Sequence, residues 1–110
     1  MKNIKLFDPV VEKTEVDAVV KTVKSKNWAS GDGKNQVGEF EKKFKEFVNS
    51  KACVAVNNGT SALHLATSLC DVKGKEVIIP SLSFVSTAHA IIYNGGIPIF
   101  ADVDPITLCI

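Results

Sequence analysis

The chain has 110 residues, of which 45% are hydrophobic and 23% charged, and its formal net charge is +1. This composition is ordinary for one globular domain. A net charge this small gives no indication of nucleic acid or of an anionic membrane as a partner. All thirteen basic residues are lysines, so an anion site would use backbone N–H groups, hydroxyls or lysine and no bidentate guanidinium.

Three cysteines, Cys53, Cys70 and Cys109, are widely spaced and set in apolar surroundings. Neither a CxxC pair nor a Cys/His cluster accompanies them, so we expect no metal site and interpret them as buried, reduced thiols of a cytosolic protein. No apolar signal-peptide core follows Met1, and no apolar run reaches the length of a membrane span. We therefore expect a cytoplasmic protein without a membrane partner.

Residues 1–50 predict an N-terminal helical segment interrupted by a loop. Valines at helical spacing indicate a helix over about 10–26, with lysines covering its other side. The loop at 27–35 is rich in Gly, Ser and Asn and carries the only tryptophan. A second helix is predicted over about 37–49, and we interpret its apolar face as core packing: Phe40, Phe44, Phe47 and Val48.

From residue 51 onward, apolar β-prone segments alternate with helical patterns. Five elements are predicted: strand 53–56, helix 61–70, strand 77–79, helix 84–93 and strand 97–100. The Asn-Gly-Gly run at 94–96 is a C-cap signal that ends the second of these helices. The βαβαβ order indicates an α/β fold with a mostly parallel sheet, of which residues 51–110 would form an incomplete domain.

Ligands of parallel α/β sheets collect at the carboxyl ends of the strands. Three segments follow predicted strands, at 58–61, 80–84 and 101–104, and we expect them to share one rim. The first of these is a tight turn of small residues in which Gly59, Thr60 and Ser61 open a helix. Unpaired N–H groups and the helix dipole make such a turn a natural site for a phosphate or a carboxylate. The alternative is that Thr60 or Ser61 only caps the helix.

Three segments in series carry a further pattern: Asn-Gly-Thr-Ser-Ala-Leu-His-Leu-Ala at 58–66, Glu-Val-Ile-Ile-Pro-Ser-Leu-Ser-Phe-Val-Ser-Thr-Ala at 76–88, and Asn-Gly-Gly-Ile-Pro-Ile-Phe-Ala-Asp-Val-Asp-Pro at 94–105. Their order and spacing resemble the N-terminal part of the DegT/DnrJ/EryC1/StrS family of sugar aminotransferases. The segment at 30–47, with Gly-Glu-Phe-Glu at 38–41, is similar to that family as well. The resemblance covers almost the whole chain and implies part of the large domain of a fold type I, pyridoxal-phosphate-dependent aminotransferase.

The resemblance also implies site residues. Thr60 and Ser61 would offer N–H groups and hydroxyls to the phosphate of pyridoxal 5′-phosphate, and Gly59 would leave room for it. Phe84 would stack on the pyridine ring, since a flat aromatic side chain holds a planar heterocycle in a fixed orientation; the alternative is core packing. Thr87 would lie near the cofactor or only begin the following helix.

Other polar residues receive weaker assignments. Trp28, Ser30 and Gly31 match a loop that lies near the sugar substrate in the family. Asp102 and Asp104 are two positions apart, so their carboxylates would lie on one face of an extended segment and could form a pair. With Pro105 next, they are interpreted as a strand-ending turn without a catalytic role. The two histidines are interpreted as packed or surface residues, and these are His64 and His89.

Transamination needs a lysine amine for a Schiff base and an acid beside the pyridine nitrogen. In the family both come from later segments, so the chain is interpreted as an N-terminal part that has no catalytic residue and is inactive alone, with weak or absent cofactor binding. The full-length relative would move an amino group from glutamate to a nucleotide-linked keto-sugar and act as a homodimer. The alternatives are a non-catalytic α/β module that binds a phosphorylated ligand, and a structural or interaction fragment without cofactor.

Overall fold

The structure, a computed structural model, describes residues 3–5, 7–28 and 35–110. The chain divides into two compact units, Met1–Val54 and Ala55–Ile110. Four helices and two strands are found in the described residues: α1 (Lys13–Ser25), α2 (Gln36–Phe47), α3 (Gly59–Ser68), β1 (Glu76–Pro80), α4 (Ser86–Tyr93) and β2 (Ile97–Ala101). Among them, no helix combines the length and the apolar character that crossing a bilayer requires.

Both helices of the first unit begin at side-chain caps. Glu12 and Glu15 form a capping box at the start of α1, in which each carboxylate accepts a backbone N–H. Asn35 opens α2 because its side-chain oxygen accepts the N–H groups of Val37 and Gly38, both at 3.1 Å. These caps satisfy N–H groups that a helix cannot satisfy itself, and they confirm the two predicted helices.

The aromatic face of α2 is not a core in this structure. Phe40 and Phe44 stack with ring centroids 5.6 Å apart, but Phe47 remains 87% exposed and no residue of α2 is buried. The prediction of core packing for Phe40, Phe44, Phe47 and Val48 is therefore wrong for the described residues. The physical reason is that an amphipathic helix buries its apolar face only where another element covers it.

The second unit contains a βαβ crossover with an additional helix. β1 and β2 pair in parallel, in the register Glu76↔Ile97 to Pro80↔Ala101, and α4 connects them. α3 packs against α4, where the amide Nδ2 of Asn94 donates to the carbonyl oxygen of His64 at 3.2 Å. The buried apolar side chains lie between the strands and α4: Ile79, Ala90 and Ile91.

The predicted strand at 53–56 is not a strand in the structure. Cys53 and Ala55 are half-buried whereas Val54 and Val56 are exposed, which is the alternation of an extended segment. A strand is defined by continuous pairing with a neighbour, and the described sheet consists of β1 and β2. The remainder of the predicted order, αβαβ from residue 59, is confirmed and forms part of an α/β fold.

The end of α4 follows the predicted C-cap. Gly95 adopts a positive φ of +77° and Gly96 donates its N–H to the carbonyl of Ile91 at 3.0 Å, as expected where glycine ends a helix. The backbone of Gly96 lies close to the side chain of Ile91. A Cβ built at Gly96 would be 2.7 Å from Cγ2 of Ile91, so there is no space for a larger residue.

Many large apolar side chains of the described residues are exposed. The accessible surface is 9476 Å², whereas two separately folded units of half this mass would together expose about 7100 Å².

The three cysteines are free, but the prediction that they are buried is wrong, since Cys70 and Cys109 are exposed and Cys53 is half-buried. Apolar neighbours in the sequence bury a thiol only when the fold places a second layer over them.

Candidate functional site

The turn at 57–61 is organised by two asparagines. Asn58 is the N-cap of α3, and its Oδ1 accepts the backbone N–H of Ser61 at 2.8 Å. The Ser61 hydroxyl donates to Oδ1 of Asn57 at 2.9 Å. The capping role that the sequence left open for Thr60 or Ser61 therefore belongs to Asn58, which asparagine is well suited to fill.

The remaining donors of this turn are open. Among the described residues the backbone N–H groups of Gly59 and Thr60 and the hydroxyl of Thr60 have no hydrogen-bond partner. A Cβ built at Gly59 would meet no atom within 4 Å, so the space beside the turn is free. Open N–H groups at the positive end of a helix dipole are what a phosphate monoester requires. The turn therefore has open donors for a phosphate group, whereas the N–H and the hydroxyl of Ser61 are already engaged.

A second set of predicted residues follows β1. The backbone N–H of Ser81 donates to the carbonyl of Ala101 at 2.8 Å, which joins the loop after β1 to the end of β2. Two of the three expected rim segments thus lie at one edge of the sheet. Phe84, in this loop, is 75% exposed, and its ring is not packed in the core of the second unit. Thr87 lies in the first turn of α4 with its hydroxyl 2.9 Å from that of Ser83.

The acidic segment after β2 is a turn, as predicted. Oδ1 of Asp104 accepts the N–H groups of Thr107 and Ile106 at 2.8 and 2.9 Å. These two donors, that of Thr107 first, hold the pKa of Asp104 below its ordinary value. The Oδ1 of Asp102 accepts the neighbouring N–H of Val103 at 2.9 Å. Both carboxylates are therefore used in local backbone structure.

The lysines of the second unit lie at the opposite edge of the sheet. Residues 55–110 contain two, Lys73 and Lys75, and both precede β1. Nζ of Lys75 pairs with Oδ2 of Asp71 at 2.6 Å, while its carbonyl accepts the N–H of Ile97 at the start of β2. The five residues of β1 span about 16 Å, which separates these lysines from the loop that carries Phe84.

The remaining predicted residues have structural contacts or lie elsewhere. The indole N–H of Trp28 donates to the carbonyl of Val23 at 3.2 Å and so closes the end of α1. Ser30 and Gly31 fall outside the described residues. The rings of His64 and His89 each lie 5.6 Å from that of Tyr93, in agreement with their interpretation as packed or surface side chains.

Sequence reasoning did not identify Asn57 and Asn58 as the residues that organise the turn. A signal was present, because asparagine ranks with aspartate and serine as the preferred N-cap and precedes the predicted helix here. The prediction assigns the role to the hydroxyl-bearing Thr60 and Ser61 instead. The consequence is that Ser61 is held in place by Asn57 and Asn58.

The profile of the DegT/DnrJ/EryC1/StrS aminotransferase family matches residues 9–110. The chain is 45% identical over 101 residues to the spore coat polysaccharide biosynthesis protein SpsC of Bacillus subtilis, covering 91% of this chain and 25% of that protein. It is 37% identical over 108 residues to the GDP-perosamine synthase of Caulobacter vibrioides, covering 97% and 29%.

Solved structures give the same result. The putative sugar aminotransferase Spr1654 from Streptococcus pneumoniae, in its pyridoxal-phosphate form, superimposes with a TM-score of 0.81 at 25% identity, covering 97% of this chain and 27% of that one. The chain thus spans about a quarter of the length of the relatives that it matches. Sequence and fold agree over nearly all of its residues, and the chain belongs to the DegT/DnrJ/EryC1/StrS aminotransferase family.

Proposed function

We propose that this chain is the N-terminal part of a pyridoxal-phosphate-dependent aminotransferase that moves an amino group from glutamate to a nucleotide-linked keto-sugar. The observation that carries the proposal is the open first turn of α3, which offers two N–H groups and a hydroxyl to a phosphate. Membership in the family supports the cofactor, and a relative named for GDP-perosamine supports the nucleotide-sugar substrate.

Each site residue would have a distinct role toward the cofactor. Gly59 and Thr60 would bind the phosphate through their backbone N–H groups, and Thr60 would add its hydroxyl. Ser61 would hold the turn in shape through its bonds to the two asparagines. Phe84, being exposed beside the carboxyl edge, would stack on the ring, and Thr87 would add a polar contact at the start of α4. Trp28, Ser30 and Gly31 are proposed for the substrate side.

The bound cofactor would supply an electron sink for amino-group transfer. The chain's own residues would bind and orient the cofactor, and the two lysines of the second unit lie at the amino edge of the sheet, away from the loop that carries Phe84. We therefore propose that this chain alone has no aminotransferase activity and that the reactive lysine belongs to residues outside it.

The exposed apolar surface suggests that the chain associates. Ile78, Leu69 and Phe100 are all more than 60% exposed in the second unit, and removing such apolar side chains from water is favourable. We propose that in the whole protein these surfaces are covered by the remaining polypeptide and by a second subunit. Sedimentation of the chain over a hundredfold concentration range tests this, since a strictly monomeric chain would contradict self-association.

The phosphate site is tested with pyridoxamine 5′-phosphate, which cannot form a Schiff base with any of the thirteen lysines. Calorimetric titration of the chain should show binding of this probe and none of pyridoxamine, which lacks the phosphate. Thr60→Val should weaken binding by at least about tenfold, because a hydrogen bond to a charged group contributes about 1.5–3 kcal/mol. Ser61→Ala should weaken it less, since that hydroxyl already donates to Asn57.

A matched control is Ser68→Ala, which removes a hydroxyl from the last turn of the same helix, where it donates to Leu65. This variant should bind like the unchanged chain. Equal binding of pyridoxamine with and without phosphate would contradict the site. If inorganic phosphate bound as tightly as pyridoxamine 5′-phosphate, the turn would instead be a general phosphate-binding module.

A further inference from the structure

The positive charge of the chain is concentrated in the first unit. Residues 1–54 hold eleven lysines and eight carboxylates, for a net charge of +3, whereas residues 55–110 hold two lysines and four carboxylates, for a net charge of −2. The two values combine to the +1 of the whole chain. The first unit is therefore basic although the whole chain is nearly neutral. Which ligands this positive charge can attract depends on where the lysines lie.

Part of this charge surrounds a groove of about 350 Å³ in the first unit. Positions 38, 41, 42 and 45 lie three or four residues apart and so occupy one face of α2, and the segment after the helix forms the other wall. The residues of this lysine groove are Gly38, Glu41, Lys42, Lys45, Lys51, Ala52 and Cys53.

The three lysines of the lysine groove have no carboxylate partner among the described residues. Lys43, which is next to them in sequence but does not line the groove, pairs with Glu39 at 3.2 Å. Lys45 is half-buried, whereas Lys42 and Lys51 are exposed. Lys42 and Lys45, at a spacing of three, also repel each other.

The groove thus has the composition of an anion site. Its lining contains three lysines and one carboxylate, that of Glu41, so the formal net charge of the lining is +2. A diphosphate matches this better than a single phosphate, because two linked phosphoryl groups carry more charge and enough acceptor oxygens to reach several ammonium groups at once. We infer that the lysine groove binds a diphosphate group, either free pyrophosphate or the diphosphate of a nucleotide.

Pyrophosphate is the first probe, because it carries the inferred group and nothing else. Calorimetric titration of the whole chain at 50 mM salt should show binding, and the double variant Lys42→Gln, Lys51→Gln should weaken it at least tenfold. Amide resonances of residues 38–53 should shift on titration. The matched control is Lys43→Gln, which removes the same charge from α2 outside the groove and should change affinity less than twofold.

Two measurements keep the result interpretable. Circular dichroism should show unchanged helix content in each variant, and the double variant Lys42→Arg, Lys51→Arg should retain binding because it retains the charge. If the glutamine variant unfolds, the arginine variant and the residue-specific shifts still test whether the lysine groove binds pyrophosphate. Loss of binding in a folded arginine variant would overturn the inference, and so would shifts confined to residues outside 38–53.

Further ligands separate the sources of the diphosphate. Similar affinities for pyrophosphate and ADP would support recognition of the diphosphate alone, and tighter binding of ADP would support a nucleotide-borne ligand. Inorganic phosphate bound as tightly as pyrophosphate would overturn the inference, as would ADP binding without pyrophosphate binding. An equal effect of Lys43→Gln would show that only the general charge matters. The inference is independent of the cofactor site, whose variants lie in the second unit.

Discussion

Gly96 and Gly59 differ in what surrounds them, and this difference yields a quantitative test of the packing in the second unit. A methyl group at position 96 would lie 2.7 Å from Cγ2 of Ile91 and 3.1 Å from the carbonyl oxygen of Val72. Ile91 is one of few buried apolar side chains, so it cannot move away without disturbing the packing of α4. Inserting a methyl into filled space costs about 1–3 kcal/mol, and we expect Gly96→Ala to lower the free energy of unfolding by that amount.

Gly59→Ala is the matched substitution. A methyl group there would contact no atom within 4 Å, and the backbone does not adopt a positive φ. Alanine in place of glycine at such a position typically stabilises by about 0.4–1 kcal/mol. We therefore expect Gly59→Ala to unfold at an equal or higher urea concentration, yet to bind pyridoxamine 5′-phosphate more weakly, because the proposed site needs close approach at this position.

Urea unfolding followed by circular dichroism at 222 nm measures both effects, with the slope against urea confirming that the same surface unfolds in each variant. A Gly96→Ala chain with an unchanged midpoint would refute the packing described around Ile91. A Gly59→Ala chain destabilised as strongly as Gly96→Ala would show that the turn requires glycine for the fold, and the functional interpretation of Gly59 would lose its support.

Three further predictions concern the turns and the thiols. Asn58→Ala should lower the free energy of unfolding by about 1 kcal/mol, because it removes the N-cap of α3. Asn58→Asp should retain most of the stabilisation that the cap provides, and urea unfolding measures both variants. The lowered pKa of Asp104 means that its hydrogen bonds stabilise the turn above the ordinary aspartate pKa. That contribution should be lost as the pH falls through the lowered value, below about 4, and the amide resonance of Thr107 should report it. Cys70, which is exposed, should react with iodoacetamide faster than the half-buried Cys53, as peptide mass spectrometry can show.

Each of these predictions has a definite contrary result. Equal stability of Asn58→Ala and the unchanged chain would mean that the cap contributes nothing. A Thr107 amide that does not respond to acid, or that responds identically in Asp104→Asn, would contradict the assigned hydrogen bonds. Equal alkylation rates for the two thiols would contradict the difference in their burial.

The sequence predicted the elements whose signals are local. The helices at 13–25 and 36–47 follow from apolar spacing, and the end of α4 follows from Gly95, which adopts a positive φ that other residues avoid. The turn after β2 follows from Asp104 with Pro105 next, and the side chain of Asp104 accepts the backbone N–H groups of Ile106 and Thr107. Each of these depends on residues within about five positions of one another, which is why a single sequence reveals them.

Tertiary structure alone decided which of the apolar residues are covered. Phe47 and Cys70 are in patterns typical of a core, yet both are exposed, and the segment at 53–56 alternates like a strand without being one. Burial and strand pairing depend on partners distant in the sequence, and local pattern cannot say whether those partners are present. The sequence therefore determined the small-residue turn and the family. The structure determined that Asn58 caps that turn, that Gly59 and Thr60 keep open donors, and that Lys73 and Lys75 lie at the other edge of the sheet.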